Sequence, residues 1–299
     1  MIRKHTRRAV KAAFAISFGV AILIGGAAQA AQPTVVIGTK NFGEQYVLGQ
    51  LYKQALEAKG FKVAYKENIG SSELIDTAIT SGKINFYPEY TGVVVLDLAR
   101  GSFPKTARAT WAAAKAFEEG RGLTLLNATP FADVDTFTVL TSTAKKYGLK
   151  SIGDVKNVPN ASFGGYPECR TRITCFVGLT KIYGLKSLKF VPLGTIAVTT
   201  LIDQGKITGG DIFSTEPAAG DPKYTALADS KHIFGFQNVA PIVSKKLAAQ
   251  LGPKFAATVN AVSAKLTTPA MIAMNKAVGV DKKTPAAVAA AFLKANGLA

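Results

Sequence analysis

"GSSELIDTAITSGKINFYPEYTG", residues 70–92, holds a loop, a helix, a glycine stop and a strand in one uninterrupted run. Such a unit belongs to an α/β protein in which strands and helices alternate. Its last six residues, "YPEYTG" (87–92), place two tyrosines, a proline and a glutamate at the strand's end. Pro88 is expected to set a turn and Tyr87 to plug a core edge. Glu89, Tyr90 and Thr91 are then expected at the mouth of a cleft, since ligands of open α/β sheets sit at the carboxyl ends of strands.

Working outward, "TVVIGTKNF" (34–42) reads as a buried strand that opens into a loop. In "GEQYVLGQLYKQALEAKG" (43–60), Leu48, Leu51, Tyr52, Ala55 and Leu56 share one helical face, and Gly60 stands where a helix C-cap belongs. "FKVAYKEN" (61–68) is the next strand. Alternation of this kind predicts mainly parallel sheets.

An internal echo widens the picture. "LIDTAITSGKINFYPEYTG" (74–92) resembles "VTTLIDQGKITGGDIFSTEPA" (198–218): an apolar helix, then Gly-Lys-Ile, then a strand ending in a polar or aromatic loop. Two such segments far apart predict two lobes of related construction. Composition shifts at "ATPFADVDTFTVL" (128–140) and "FGFQNVAPIVS" (234–244) mark where the chain passes between them. The expected layout is residues 31–135 in the first lobe, 136–236 in the second, and 237–299 returning to the first as a helical tail. "TTPA" and "KTPA" in that tail carry the Thr-Pro pairing that starts helices.

Residues 1–30 read as a secretory signal peptide: "MIRKHTRRAVK" is basic, "AAFAISFGVAILIGG" is apolar but short for a span, and "AAQA" offers cleavage after Ala30. The exported remainder is expected in the periplasm. The formal net charge is +17, and five of those cations lie in the leader. The rest are dispersed lysines, which serve solubility, and with the export signal they argue against nucleic acid.

Cys169 and Cys175 lie six residues apart in "PECRTRITC" (167–175), and in an oxidising compartment they predict a disulfide. The only histidine after the leader is His232, in "DSKHIFGF" (229–236), which reads as a strand start with the histidine exposed, so neither a metal site nor a Cys-His or Ser-His device is expected. No G-x-S-x-G, H-E-x-x-H, phosphate loop or G-x-G-x-x-G is present. Glu118 and Glu119 read as a solvated helix face. No enzyme, no cofactor and no metal are expected.

The strand ends supply binding chemistry instead. Lys40 and Asn41 follow the first strand and Ser71 lies in a small-residue loop. Asp133, Asp135 and Phe137 open the second lobe, Arg170 and Arg172 lie in the cysteine loop, and Phe213 and Glu216 end "DIFSTE". Phe236 stands at the second crossing. Aromatics mixed with a few carboxylates and cations fit a small zwitterion. A quaternary ammonium donates no ordinary hydrogen bond and is held by π faces, with about 2 kcal/mol available from a desolvated contact. A ligand carboxylate needs an Arg fork or a Lys. The basic net charge opposes a cationic ligand only weakly, because exposed charges beyond about 8 Å are screened at physiological salt.

Three of these stretches, "VVIGTKNFGEQYVLGQLYKQALEAKG" (35–60), "GSSELIDTAITSGKINFYPEYTG" (70–92) and "PECRTRITCFVGL" (167–179), together resemble the periplasmic substrate-binding proteins of osmoprotectant ABC importers, the glycine betaine, choline and proline-betaine group. The likeness runs from about residue 34 to residue 245. It implies a type II two-lobed binding-protein fold with two chain crossings, a monomer that closes on its solute and docks on a membrane permease. It also implies an aromatic cage for the ammonium and an Arg and a Lys for the carboxylate. By position Tyr90 is the cage residue, Lys40 matches the family lysine, and either Arg170 or Arg172 would form the fork. Phe137 falls where the family often has Tyr, Val93 where many relatives have Thr, and the loops around Phe213 and Phe236 lack the expected tyrosines. The implied function is delivery of a quaternary-ammonium solute. The alternatives are another small zwitterion or amino-acid-like solute, or presentation of ligand to a membrane sensor.

Overall fold

The computed structural model describes residues 1–2, 32–194 and 197–299. The expected signal peptide, residues 1–30, lies outside the described residues but for its first two. No described helix is long and apolar enough to cross a membrane.

The chain runs β1 (Val35–Lys40), α1 (Gly43–Ala58), β2 (Val63–Gly70), α2 (Ser72–Thr80), β3 (Phe86–Tyr90) and, after the helix Ala107–Glu119, β4 (Leu123–Leu125). Next come β5 (Phe137–Leu140), β6 (Ser162–Gly165), β7 (Lys189–Pro192), β8 (Gly209–Asp211) and β9 (Tyr224–Ala226). β10 (Val239–Ser244) and three helices close the chain. The strands form two five-stranded sheets, ordered β2-β1-β3-β10-β4 and β7-β6-β8-β5-β9. This is the two-lobed α/β architecture anticipated from the alternating pattern.

The sheets are mixed rather than mainly parallel. β1 pairs in parallel with β2 and β3, but β10 returns from the second sheet and enters antiparallel between β3 and β4. β5 enters the second sheet the same way, antiparallel to both β8 and β9. The two crossing segments run side by side: Asp133 N donates to Gln237 O at 3.1 Å, Thr129 N to Val239 O at 2.8 Å, and Asn238 Nδ2 to both Thr129 O and Phe131 O.

α1 buries Leu48, Leu51, Tyr52, Ala55 and Leu56, and its chain reverses at Gly60, whose φ of +84° only glycine adopts without strain. Phe255, Val259, Val262, Met271 and Leu293 from the tail helices complete the same core. Thr267 and Thr284 cap two of those helices by accepting from Ala270 N and Ala287 N.

Three local expectations change. Pro88 does not turn the chain: β3 continues through it, facing Pro241 of β10, a pairing in which no backbone bond need be exchanged. Glu118 is fully buried, held with Asp76 by the Arg121 guanidinium at 2.6–2.7 Å, while only Glu119 faces solvent. His232 sits exposed in a left-handed turn rather than at a strand start. Tyr87 is in the core as anticipated.

Candidate functional site

β1 ends in Lys40 and passes through Asn41 and Phe42 into α1; β3 ends in Tyr90; β6 passes into Tyr166; β8 ends in Asp211 and leads to Phe213. These strand ends, with the crossing residues Asp133 and Asp135, converge on one cavity. The convergence follows from the topology, because carboxyl ends of strands from both sheets face the same gap.

Four aromatic rings form a row along the cavity. Tyr90 and Phe42 lie 6.1 Å apart between centroids, Phe42 and Phe213 5.6 Å, and Phe213 and Tyr166 6.0 Å with planes only 7° apart. The Lys40 ammonium sits 4.2 Å over the Tyr90 ring and donates to Glu89 Oε1 at 2.5 Å and to Ser72 Oγ at 3.0 Å. Burial lowers the Lys40 pKa, and the Glu89 carboxylate opposes that shift.

Asp133, Asp135, Glu168 and Asp211 also line the cavity. Burial raises Asp211 well above the carboxylate range, and the neighbouring Asp135 carboxylate adds to it. A proton is implied at Thr215. Its hydroxyl lies 2.5 Å from Glu44 Oε2 and 2.7 Å from Asp133 Oδ1. One hydroxyl hydrogen serves one acceptor, so the other carboxyl must donate to Thr215 Oγ1. Burial raises both Glu44 and Asp133.

The two sheets' elements are tied across the cavity. Arg172 Nε and Nη2 donate to Glu73 at 3.1 and 3.0 Å, and Thr174 Oγ1 donates to Asp97 Oδ2 at 2.6 Å. Burial alone would raise Glu73, but the Arg172 fork holds it down at about 2. Both tying residues come from the loop closed by the Cys169–Cys175 disulfide, whose Cα atoms are 5.2 Å apart and whose cysteines line the cavity.

Of the residues singled out in the sequence, Lys40, Asn41, Tyr90, Asp133, Asp135, Arg172 and Phe213 line this cavity. Seven do not, among them Glu89 and Thr91, expected at the cleft mouth and instead buried off the cavity. Ser71 turns outward to Glu73, and its neighbour Ser72 faces the cavity instead. Phe137 is fully buried against Phe163 at 4.8 Å, on the core side of β5. Arg170 is exposed, and Phe236 lines none of the cavities named here. Glu216 lies in an adjoining chamber with Glu44, Asp133 and Asn275. Sequence reasoning passed over Phe42, Tyr166 and Asp211. For Tyr166 a signal existed: Tyr-Pro-Glu occurs at 87–89 and again at 166–168.

Burial lifts Glu216 to about 7 from an ordinary 4.5. The folded chain therefore holds this proton more tightly than the unfolded chain. The group's contribution to stability is fully present below pH 4.5, declines across pH 4.5–7 and levels off above it. Thermal midpoints of wild type and Glu216→Gln measured across that window should diverge, the wild type losing ground with rising pH. Parallel curves would contradict the burial assigned to this carboxyl.

A family profile described as the substrate-binding domain of ABC-type glycine betaine transport systems matches residues 33–295. The chain is 28% identical to a glycine-betaine-binding protein of Pseudomonas aeruginosa over 291 residues, covering 93% of this chain and 92% of that protein. It is 24% identical to the carnitine transport binding protein of Listeria monocytogenes, covering 91% and 89%. A crystal structure described as a glycine betaine/carnitine/choline ABC transporter superposes with a TM-score of 0.70 at 22% identity, covering 88% of this chain and 99% of the other.

Proposed function

This chain belongs to the substrate-binding domains of ABC-type glycine betaine transport systems, and we propose that it holds a small quaternary-ammonium solute, such as glycine betaine or choline, between its two sheets and hands it to the permease of an ABC importer. The observation that carries this reading is the row of rings Tyr90, Phe42, Phe213 and Tyr166 beside the Asp135–Asp211 pair. A quaternary ammonium offers no hydrogen to donate, so aromatic faces and nearby negative charge are what select it over water. The solute's cation packs against Phe42, Phe213 and Tyr166, because one face of Tyr90 is covered by Lys40. Asn41, Asp135 and Arg172 border the same space.

In this reading residues 31–135 and 237–299 form one lobe and 136–236 the other, hinged on the paired crossings. Residues 1–30 are removed on export to the periplasm, where the protein works as a monomer. Binding shifts the population towards a closed form, and no bond of the solute is made or broken. The contacts Arg172–Glu73, Thr174–Asp97 and Thr215–Glu44 support closure, since each joins elements of different sheets.

Calorimetric titration of ligand-free protein tests the reading. At least one of choline and glycine betaine should bind with a dissociation constant on the order of micromolar, about −8 kcal/mol. An absence of heat with both at millimolar concentration would rule the ligand class out.

A further inference from the structure

We infer that the closed form binds a second ligand together with the solute: one proton, held at a site that Glu44, Thr215 and Asp133 assemble only when the elements of the two sheets meet. The inference rests on the closure described above and adds to it, whichever small solute is bound.

Thr215 follows β8 of the second sheet. Its loop is tied to the first crossing: Ser214 N donates to Val134 O at 3.0 Å, Val134 N to Ser214 Oγ at 2.9 Å, and Thr215 N to Asp133 Oδ1 at 3.1 Å. Asp133 and Thr215 therefore travel together. Glu44 lies in the first turn of α1 and Asn275 on the tail helix Thr268–Gly279, and both helices pack on the first sheet.

With the sheets apart, the Thr215 hydroxyl has Asp133 alone, and its single hydrogen satisfies that carboxylate. Closure brings Glu44 Oε2 to 2.5 Å from the same oxygen while Asp133 Oδ1 stays at 2.7 Å. One hydrogen then stands between two carboxyls, each only 5% exposed, and a proton drawn from solvent completes the set. Glu44 is the ionised member, because it accepts from Tyr90 OH at 2.8 Å, from Asn275 Nδ2 at 2.8 Å and from Thr215 Oγ1. Asp133 takes the proton and donates it to Thr215 Oγ1.

The surrounding groups leave the pair in an acidic setting. The cations that border it, Lys40 at the end of β1 and Arg172 in the disulfide loop, each stand against a carboxylate of their own, Glu89 and Glu73. Asp135 on the same crossing, Glu168 after β6, Asp211 at the end of β8 and Glu216 beyond Thr215 add further carboxyls. Tyr90 and Tyr166 are neutral phenols, and the tail helix presents Asn275, Val278 and Gly279, none of them charged. Burial raises both Glu44 and Asp133, in keeping with a held proton. Because closure raises the pair's hold on that proton, solute affinity is greatest at low pH and weakens as pH rises above the ordinary carboxylate range.

Calorimetric titration with choline and with glycine betaine at pH 7, in phosphate and in imidazole buffer, reads proton uptake from the difference in heat. Asp133→Asn supplies Thr215 Oγ1 with a donor that does not titrate, and Glu44→Gln leaves the Thr215 hydrogen to Asp133. Wild type should take up about one proton more per bound solute than either variant, and its dissociation constant should rise by about tenfold per pH unit relative to theirs between pH 6 and pH 8. If one variant fails to bind, the other carries the comparison. Binding to wild type without proton uptake overturns the inference and leaves the quaternary-ammonium reading standing. Uptake undiminished in a variant that binds overturns the assignment to this site. Failure of both solutes to bind wild type overturns the quaternary-ammonium reading, and X-ray scattering from the free protein then decides the inference. The radius of gyration should fall between pH 8 and pH 5 in wild type and not in Asp133→Asn, and a wild-type value independent of pH overturns it.

Discussion

Phe213→Ala should weaken binding of the quaternary-ammonium solute by about 2 kcal/mol, roughly thirtyfold. Phe213 is the middle member of the aromatic row on the side away from Lys40, 5.6 Å from Phe42 and 6.0 Å from Tyr166. Its removal takes one desolvated π face from the cation and lets water into the gap between the other two rings. The remaining rings then lose their stacking neighbour, so Phe213→Leu, which restores volume without a quadrupole, separates the two effects. If cation–π attraction dominates, Phe213→Leu binds nearly as poorly as Phe213→Ala. If leucine restores affinity, the pocket selects by apolar fit and the cage reading fails. Phe213 is only partly buried, and global stability measured by urea unfolding should change little beside the change in affinity.

Much of this molecule could be read from its sequence because local grammar and global fold agree. The face of α1, the stop at Gly60 and the strand-end position of Tyr90 follow from periodicity and turn chemistry alone. The disulfide followed from spacing and export, and the cavity receives Lys40, Asp135 and Arg172 as strand-end and loop logic implied. What was not legible depends on one-residue registers and on long-range contact. Phe137 has the right chemistry, but successive strand residues face opposite sides, and it falls on the core side of β5. Ser71 and Ser72, and Arg170 and Arg172, are chemically equal choices that only the local backbone separates. Phe42 and Tyr166 join the strand-end Phe213 in one row solely because three distant segments meet, which no periodicity records. The antiparallel entry of β10 is hidden for a similar reason: a strand buried on both faces looks apolar whichever way it runs.

Lys40→Met should destabilise the fold by about 3–5 kcal/mol, because it strands a buried carboxylate. The Glu89 side chain is fully buried, with Oε1 shared between Lys40 and Tyr90 N and Oε2 without a partner among the described residues. Without the ammonium, Glu89 keeps a single backbone donor and must take up a proton or draw in water. Replacing both partners by apolar groups removes the stranded charge along with its compensation. The double variant Lys40→Met/Glu89→Leu should therefore recover most of the loss, with a coupling energy well above the few tenths expected for independent sites. Urea unfolding of the wild type, both single variants and the double variant closes this cycle. A Lys40→Met loss below about 1 kcal/mol, or a double variant as unstable as the sum of the singles, would mean that solvent reaches Glu89 and that the pair is not the buried anchor of the cavity floor. The same cycle bears on the solute. Lys40 covers one face of Tyr90 at 4.2 Å, so the double variant takes the internal cation off a ring that already lines the cavity. Affinity for a trimethylammonium cation should then be held or raised even though a cavity-lining residue has been lost, since the internal cation that competed for that ring is gone.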